Sequence, residues 1–169
     1  MRHFVNSLDY WLPILAIRFT DTLMMRPPNT SQFGNILLVD DKPDNLRLLS
    51  QMLTEQGYNV RRVTKGKMAL ITAKASPPDL VLLDIKMPDM DGYEVCLQLK
   101  ADEITAEIPV IFMSALDELP DQVKAFTIGG VDYITKPFQV EEVLVRVKTQ
   151  IRRQAEHLAR EAQRERALA

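Results

Sequence analysis

The chain has 169 residues, of which 46% are hydrophobic and 26% are charged, a composition typical of a soluble globular protein with one ordinary domain. Its formal net charge of -2 argues against a large nucleic-acid footprint, so no direct nucleic acid binding is expected. The single cysteine, Cys96, excludes an internal disulfide and favours a reducing compartment, which predicts a cytoplasmic location. Cys96 is expected in the core, and no metal-ligand spacing links His3 and His157.

The first 33 residues are predicted to be a poorly ordered leader. Its apolar stretch YWLPILAI (residues 10–17) is too short to span a bilayer and is interrupted by Pro13, so no membrane span is expected. Two explanations fit this segment better than an anchor. It is either a terminus without stable structure or the product of an upstream start codon, with translation beginning at Met24 or Met25.

Between residues 34 and 150, short apolar runs alternate with helical patterns. The predicted strands are NILLVDD (35–41), YNVRRV (58–63), DLVLLD (79–84), PVIFMSA (109–115) and VDYIT (131–135). The first predicted helix has apolar residues at helical spacing, namely Leu46, Leu49, Met52 and Leu53, and ends at Gly57. The other predicted helices are Lys67–Lys74, Gly92–Lys100, Pro120–Thr127 and a last one that begins near Val140. This alternation predicts an α/β fold with a doubly wound, five-stranded parallel sheet and five helices, the last one extended. Ligands of such sheets bind at the carboxyl ends of the strands.

Polar residues stand at the ends of four of these strands, where they would meet at one edge. They are Asp40 and Asp41 at the end of the first strand, Asp84 in the third, Ser114 in the fourth and Lys136 after the fifth. Two carboxylates about 5 Å apart repel by roughly 3 kcal/mol at an effective dielectric constant near 20, so three of them need a cation. An all-oxygen acidic site favours Mg²⁺, with Mn²⁺ as the alternative, over softer metals.

A metal ion alone does not explain a hydroxyl group and a lysine at the same edge. A transferred phosphoryl group does, because Mg²⁺, Lys136 and Ser114 with backbone N–H groups would each bind one of its oxygens. The acceptor would then be a carboxylate, which forms an acyl phosphate. Helix capping, the simpler explanation for strand-end acids, accounts for Asp91 and Asp89 but poorly for the clustered three.

The chain resembles the receiver domain of two-component response regulators, of the chemotaxis-receiver type, in four segments. These segments are ILLVDD, LLDIKMPDMDG, IFMSA and DYITKPF. The resemblance covers about residues 35–150. The separations of 30 residues from Asp84 to Ser114 and of 52 from Asp84 to Lys136 are close to the family pattern. The resemblance implies a flavodoxin-like sheet with strand order 2-1-3-4-5 and a receiver domain over residues 34–150.

The resemblance also implies roles for the acidic residues. Asp84 corresponds to the phosphoacceptor, Asp41 to a direct Mg²⁺ ligand and Asp40 to a ligand acting through water, while the Lys86 carbonyl corresponds to a further ligand. Such a protein accepts a phosphoryl group from a sensor histidine kinase or a histidine phosphotransfer protein in a phosphorelay. It is not an enzyme, beyond catalysing its own phosphorylation and dephosphorylation.

Signal output is implied by the same resemblance. Ser114 corresponds to the switch hydroxyl, Tyr133 to the switch aromatic residue and Lys136 to the lysine before a cis proline, Pro137. Phosphorylation would switch the surface of the fourth helix, the fifth strand and the fifth helix, which controls an output or a partner.

The lifetime of the acyl phosphate depends, in the family, on two side chains that flank the path of the hydrolytic water. They correspond here to Lys86 and Leu116. Leu116 cannot hydrogen-bond to water, and Lys86 has only donors, so neither can accept a proton from the nucleophile. The sequence therefore predicts a long-lived phosphorylated form.

Three other classes of protein fit the sequence less well than a phosphorylated receiver. A receiver-like binding module that is never phosphorylated would usually lack an acid or the lysine, and this chain keeps them all. An aspartyl-nucleophile phosphatase uses a D-x-D pair at its first strand, whereas Asp40 and Asp41 are adjacent. A flavin-binding protein would need a hydroxyl-rich phosphate loop after the first strand, which this sequence lacks.

The C-terminal helical pattern continues from Val140 to the last residue, so residues 151–169 are predicted to be a helical extension. Its first part can pack on the sheet through Val143, Leu144, Val147 and Ile151. Beyond these, Leu158 and Leu168 alone continue an apolar seam, which is weak for a coiled coil. A solvated extension and a helix that pairs in a homodimer are both open, as is a dimer through the fourth helix, fifth strand and fifth helix. The chain is either a stand-alone receiver or stops where an output domain would begin.

Overall fold

The structure, a computed structural model, describes residues 33–115 and 122–168. The predicted leader, apart from Phe33, lies outside these residues, as does Leu116. Among the described residues, no helix is both long enough and apolar enough to cross a bilayer.

Five parallel strands form one sheet with the order β2-β1-β3-β4-β5, which confirms the predicted doubly wound arrangement. The strands are β1 (Asn35–Val39), β2 (Asn59–Val63), β3 (Leu80–Asp84), β4 (Val110–Ala115) and β5 (Asp132–Lys136). The helices are α1 (Pro43–Glu55), α2 (Gly66–Ala75), α3 (Gly92–Ala101), α4 (Gln122–Thr127) and α5 (Val140–Leu168). The sequence pattern placed most of these elements to within one or two residues, although α4 was predicted to begin at Pro120, outside the described part.

The core consists of two apolar layers, one on each face of the sheet. Side chains alternate along β1, so Ile36 and Leu38 pack with α1 and α5, while Leu37 and Val39 pack with α2 and α3. Every residue of β3 is buried. Central parallel strands are covered on both faces, which explains why these runs are continuously apolar rather than alternating. Cys96 is buried in the second layer, as predicted.

The strand register brings the carboxyl ends of the central strands to one edge. Val39 pairs with Leu83, so Asp40 follows β1 beside Asp84 at the end of β3. On the other side of β3, Asp84 pairs with Met113, which directly precedes Ser114. Because these pairs are parallel, the side chains that follow each strand project towards the same edge of the sheet.

Helix α5 runs 29 residues and packs on the sheet through its first part. Val143 and Val147 are buried, and Leu144 and Ile151 pack against the same layer, as the sequence predicted. Further along, Gln154 donates a hydrogen bond of 2.8 Å to the carbonyl of Glu107, and the remaining turns are largely exposed.

Candidate functional site

Three carboxylates form a cluster at the carboxyl edge of the sheet. Asp40, Asp41 and Asp84 each offer an oxygen, and these oxygens lie within 4.8 Å of one another. Asp40 is fully buried, Asp84 is 4% exposed and Asp41 is partly exposed. The predicted acidic residues therefore do meet at one point in space.

Asp40 is fixed from both sides by hydrogen bonds. Its Oδ1 accepts a hydrogen bond from the backbone N–H of Lys42 at 2.8 Å, a local turn that forms where the chain leaves β1 for α1. Its Oδ2 accepts from the Asn45 side chain at 2.9 Å and from the Lys136 ammonium at 2.7 Å. Asn45 was not singled out from the sequence. The signal in the sequence is its position: Asn45 is a polar amide in the first turn of α1, which directly follows Asp40 and Asp41.

Lys136 connects two of the acidic residues. Its Nζ donates a second hydrogen bond, of 2.7 Å, to Oδ1 of Asp84, and its side chain is 14% exposed. Burial would lower the pKa of Lys136, but the hydrogen bonds to Asp40 and Asp84 outweigh burial and raise it. The lysine is therefore charged, and it links β5 to the ends of β1 and β3.

Three carboxylates with one ammonium leave an excess of negative charge. Burial raises the pKa of Asp84 to about 6, and the nearby charges of Asp40 and Asp41 add to this effect. The hydrogen bond from Lys136 opposes the shift but does not cancel it. The electrostatics of the site thus favour a further cation close to Asp84.

The residues present fit a hard divalent cation. Oδ1 of Asp41 is buried and has no hydrogen-bond partner among the described residues. A buried carboxylate oxygen without a donor is costly unless a cation binds it. The cluster offers oxygen ligands, which suit Mg²⁺, and it borders a cleft of about 510 Å³ that is also lined by Lys86.

The loop from β3 to α3 turns sharply behind Asp84. Gly92 begins α3 and donates a hydrogen bond of 2.8 Å to the carbonyl of Ile85. A Cβ atom at Gly92 would collide with the backbone carbonyl oxygen of Asp84, so the close approach requires glycine. Asp91 caps α3 by accepting a hydrogen bond of 2.8 Å from the N–H of Glu94, which is the capping role that the sequence suggested. The close approach of Gly92 to the Asp84 carbonyl, rather than the Asp91 cap, is what holds the end of β3 in place.

The residues predicted to act as a switch are not bonded to the acidic cluster in the described structure. Ser114 is buried at the end of β4, and its hydroxyl has no hydrogen-bond partner in the described part of the chain. Tyr133 is half-buried, and its hydroxyl accepts a hydrogen bond of 3.1 Å from Thr135 on the same strand. The Lys136–Pro137 peptide bond is cis. The structure thus joins Lys136 to the acids and leaves the Ser114 hydroxyl available.

Comparison with known proteins shows which family this chain belongs to. A family model described as the response regulator receiver domain matches residues 36–148. The chain is 42% identical over 118 residues to the DNA-binding dual master transcriptional regulator RpaA of Synechocystis sp.. It is 43% identical over 146 residues to a probable cyclic di-GMP phosphodiesterase of Vibrio cholerae. These alignments cover 70% and 86% of this chain, but the chain spans only 49% and 33% of those proteins.

A solved structure with a similar fold is also a receiver domain. The receiver domain of the sensor histidine kinase PA1611 from Pseudomonas aeruginosa has a magnesium ion coordinated in its active site cleft. It is 31% identical to this chain with a TM-score of 0.65, and the match covers 70% of this chain and 97% of that one. The chain therefore belongs to the receiver domain family of two-component response regulators. Domains of this family accept a phosphoryl group from a histidine kinase and bind Mg²⁺ at an acidic pocket.

Proposed function

We propose that this chain is a Mg²⁺-dependent phosphoacceptor in a phosphorelay and that Asp84 is the residue that becomes phosphorylated. The observation that carries the proposal is the position of Asp84. It ends β3 beside two further carboxylates, and its Oδ1 accepts a hydrogen bond of 2.7 Å from Lys136. Its side chain also borders the cleft of about 510 Å³, from which a phosphohistidine of a sensor kinase or a phosphotransfer protein can approach.

The transfer needs one bond to form and one to break. A carboxylate oxygen of Asp84 attacks the phosphorus atom, and the bond from phosphorus to the imidazole nitrogen of the donor breaks, with its electron pair remaining on that nitrogen. Asp40, Asp41, Asp84 and the Lys86 carbonyl would hold Mg²⁺, which when bound neutralises charge on the phosphoryl oxygens. Lys136 already lies 2.7 Å from Asp84 and can bind a phosphoryl oxygen after a small shift.

The output of the switch is proposed to run through β4 and β5. The hydroxyl of Ser114, which has no partner among the described residues, can donate to a phosphoryl oxygen on Asp84, since Ser114 directly follows Met113, the neighbour of Asp84 in the sheet. Tyr133 lies on the adjacent strand opposite Phe112, and its ring would follow into the space that the Ser114 hydroxyl leaves. The expected result is an altered surface on α4, β5 and α5.

The phosphorylated form is proposed to be long-lived. Lys86 lines the cleft, and its ammonium has only donors, so it cannot activate a water for attack on the acyl phosphate. Leu116 would be equally inert. Replacing Lys86 with Asn and Leu116 with Glu should speed the loss of the phosphoryl group, and unchanged decay in this double variant would argue against the proposal.

A receiver domain at residues 34–150 with a helical extension at residues 151–169 would act on an output domain or a separate partner. One of the two relatives described above is named as a DNA-binding regulator and the other as a probable cyclic di-GMP phosphodiesterase. An output domain of either kind would therefore be compatible with this receiver. The exposed second half of α5 could pair two copies, and so could the face of α4, β5 and α5. We propose that the phosphoryl transfer takes place in the cytoplasm, the reducing compartment that the single cysteine favours.

The decisive experiment is loading with acetyl phosphate in the presence and absence of Mg²⁺, followed by intact mass spectrometry. The unmodified chain should gain a phosphoryl group only with Mg²⁺, and Asp84→Ala should gain none. Asp44→Ala is the matched control, because Asp44 is an exposed aspartate at the start of α1. An equal adduct on Asp84→Ala would refute the assignment. The absence of any adduct would favour a non-phosphorylated module, and rapid hydrolysis of added phosphomonoesters would favour a phosphatase.

A further inference from the structure

The N-terminus of α2 lacks a cap from its own sequence. Lys65 occupies the N-cap position with extended backbone angles, φ -138° and ψ 142°, and its side chain makes no capping hydrogen bond. The first N–H groups of a helix have no acceptor within that helix, so they require one from elsewhere. Residues that usually fill this position are Ser, Thr, Asp and Asn, and lysine cannot accept a hydrogen bond.

Asp89, from the loop between β3 and α3, supplies the missing acceptors. The backbone N–H of Gly66 donates to its Oδ1 at 3.2 Å, and the N–H of Lys67 donates to its Oδ2 at 3.4 Å. Burial would raise the pKa of Asp89, but these N–H groups outweigh burial and keep it below its usual value. The carboxylate is therefore ionised, and a negative charge at this end of a helix is favourable. Asp89 thus caps a helix whose first residue, Gly66, lies 23 residues earlier in the chain.

Close packing holds the same loop against α2. A Cβ atom at Gly66 would lie 2.9 Å from Cβ of Met90 in the loop and 2.8 Å from a methyl group of Val95 in the adjoining helix α3. Only glycine leaves room for that approach. Within the same loop, the Met87 side chain is buried in the core. The loop is thus held at the end of β3, by Met87 in the core, and against α2 by both Asp89 and Met90.

Between these attachments lies Lys86, whose backbone carbonyl would be a metal ligand in the function proposed above. We infer that Asp89 is a positioning residue for metal binding, because its two hydrogen bonds to α2 hold the loop that presents this carbonyl. The inference rests on the proposed function and adds to it a residue outside the acidic cluster. Groups that orient metal ligands from outside the ligand set typically change metal affinity by about 10- to 100-fold when they are removed.

The test is a calorimetric Mg²⁺ titration of the full chain, together with the rate of acetyl phosphate loading as a function of Mg²⁺ concentration. Asp89→Ala should weaken Mg²⁺ binding about tenfold. Its loading rate should approach that of the unmodified chain at saturating Mg²⁺, since the acceptor and Lys136 are untouched. A loss of stability alone would not produce this dependence on metal concentration.

Two further variants separate positioning from helix stabilisation. Asp91→Ala removes the cap of α3 from the same loop, so it should lower the melting temperature without a comparable change in Mg²⁺ affinity. Lys65→Ser, added to Asp89→Ala, gives α2 a cap of its own and restores the net charge of the unmodified chain. This double variant should recover the melting temperature while the Mg²⁺ affinity stays weak.

The outcomes are distinct. Unchanged Mg²⁺ affinity in Asp89→Ala, or full recovery of affinity on adding Lys65→Ser, would overturn the positioning role. If the unmodified chain still gains a phosphoryl group on Asp84 in that case, the proposed function stands and only this inference fails. If the unmodified chain neither binds Mg²⁺ nor gains a phosphoryl group, both fail together.

Discussion

Helices α1 and α4 each follow a strand that ends at the functional edge of the sheet, yet they pack against the sheet to very different extents. The 13 residues of α1 bury four apolar side chains, those of Leu46, Leu49, Met52 and Leu53. The six-residue helix α4 is anchored by Ala125, while Val123 is 76% exposed and Phe126 is 53% exposed. The first helix is therefore fixed by the core, and the second has few contacts to lose.

The polar groups at the ends of the preceding strands differ in the same way. Asp40, after β1, has both carboxylate oxygens hydrogen-bonded. Ser114, in β4, has a buried hydroxyl with no partner in the described residues. Segments with few buried contacts rearrange at low free-energy cost, whereas well-packed segments do not. The β1 side thus holds the acids in place, and the β4 side is where the proposed response to phosphorylation would arise.

The largest expected effect comes from cutting the connection between the two sides. Lys136→Ala removes the ammonium that links β5 to Asp40 and Asp84, and it leaves two buried carboxylates without their cation. We expect the free energy of unfolding to fall by about 3 to 5 kcal/mol in a chelating buffer, as for other broken buried pairs. Urea unfolding would measure this loss, and adding Mg²⁺ should reverse much of it. Equal stability with and without Lys136 would show that the two sides are not coupled through this contact.

Next in size is the removal of a core contact from α1. Leu49 is completely buried, so Leu49→Ala should lower the free energy of unfolding by about 3 to 4 kcal/mol through lost burial and a residual cavity. Urea denaturation followed by circular dichroism measures the change. A loss below about 1 kcal/mol would mean that α1 is not fixed more firmly than α4.

The third prediction uses pH. The pKa of Asp84 is about 6 in the folded protein and 3.8 for an ordinary aspartate. The contribution of this group to the free energy of unfolding is therefore most favourable below about pH 4 and is lost as the pH rises through about 6. Asp84→Asn removes the ionisation. In a chelating buffer it should stabilise the protein by about 2 to 3 kcal/mol at neutral pH, with the gain vanishing near pH 4. A gain that does not depend on pH would have another cause.

A smaller effect is expected at Ser114, and it has the opposite sign to that of a normal core deletion. Its hydroxyl is buried without a partner in the described residues, so Ser114→Ala should raise the free energy of unfolding by about 1 kcal/mol. Thermal unfolding is a sufficient measurement. A clear loss of stability instead would indicate that the hydroxyl already makes a favourable interaction before phosphorylation.

The smallest effect is expected in α4. Phe126→Ala removes a ring that is 53% exposed, so the free energy of unfolding should change by less than about 0.5 kcal/mol. Binding of a partner through α4, β5 and α5 could still change, which makes the variant useful in both assays. Destabilisation similar to that of Leu49→Ala would remove the contrast between the two helices.

The sequence predicts well what depends on local patterns. Central strands are recognisable because parallel strands covered on both faces read as continuous apolar runs, and the acids after them meet because parallel strands end at one edge. The bond from Asn45 to Asp40 escaped prediction because it depends on how the first turn of α1 is oriented over the end of β1. The sequence suggested a capping role for Asp89, but that the capped helix is α2 escaped prediction for a similar reason. It joins residues 22 and 23 positions apart, a distance at which no helical or strand period gives a signal.

The bridge that Lys136 makes between Asp40 and Asp84 has a consequence for how the protein is made. In many small metal sites the ligands repel one another until the ion arrives, so the chain folds only when metal is present. Here an internal ammonium compensates part of that repulsion from the moment β5 joins the sheet. The newly synthesised chain can therefore complete its fold in the absence of Mg²⁺, with its acidic cluster already assembled. On the proposed function, a local shortage of the ion would delay phosphorylation but not folding.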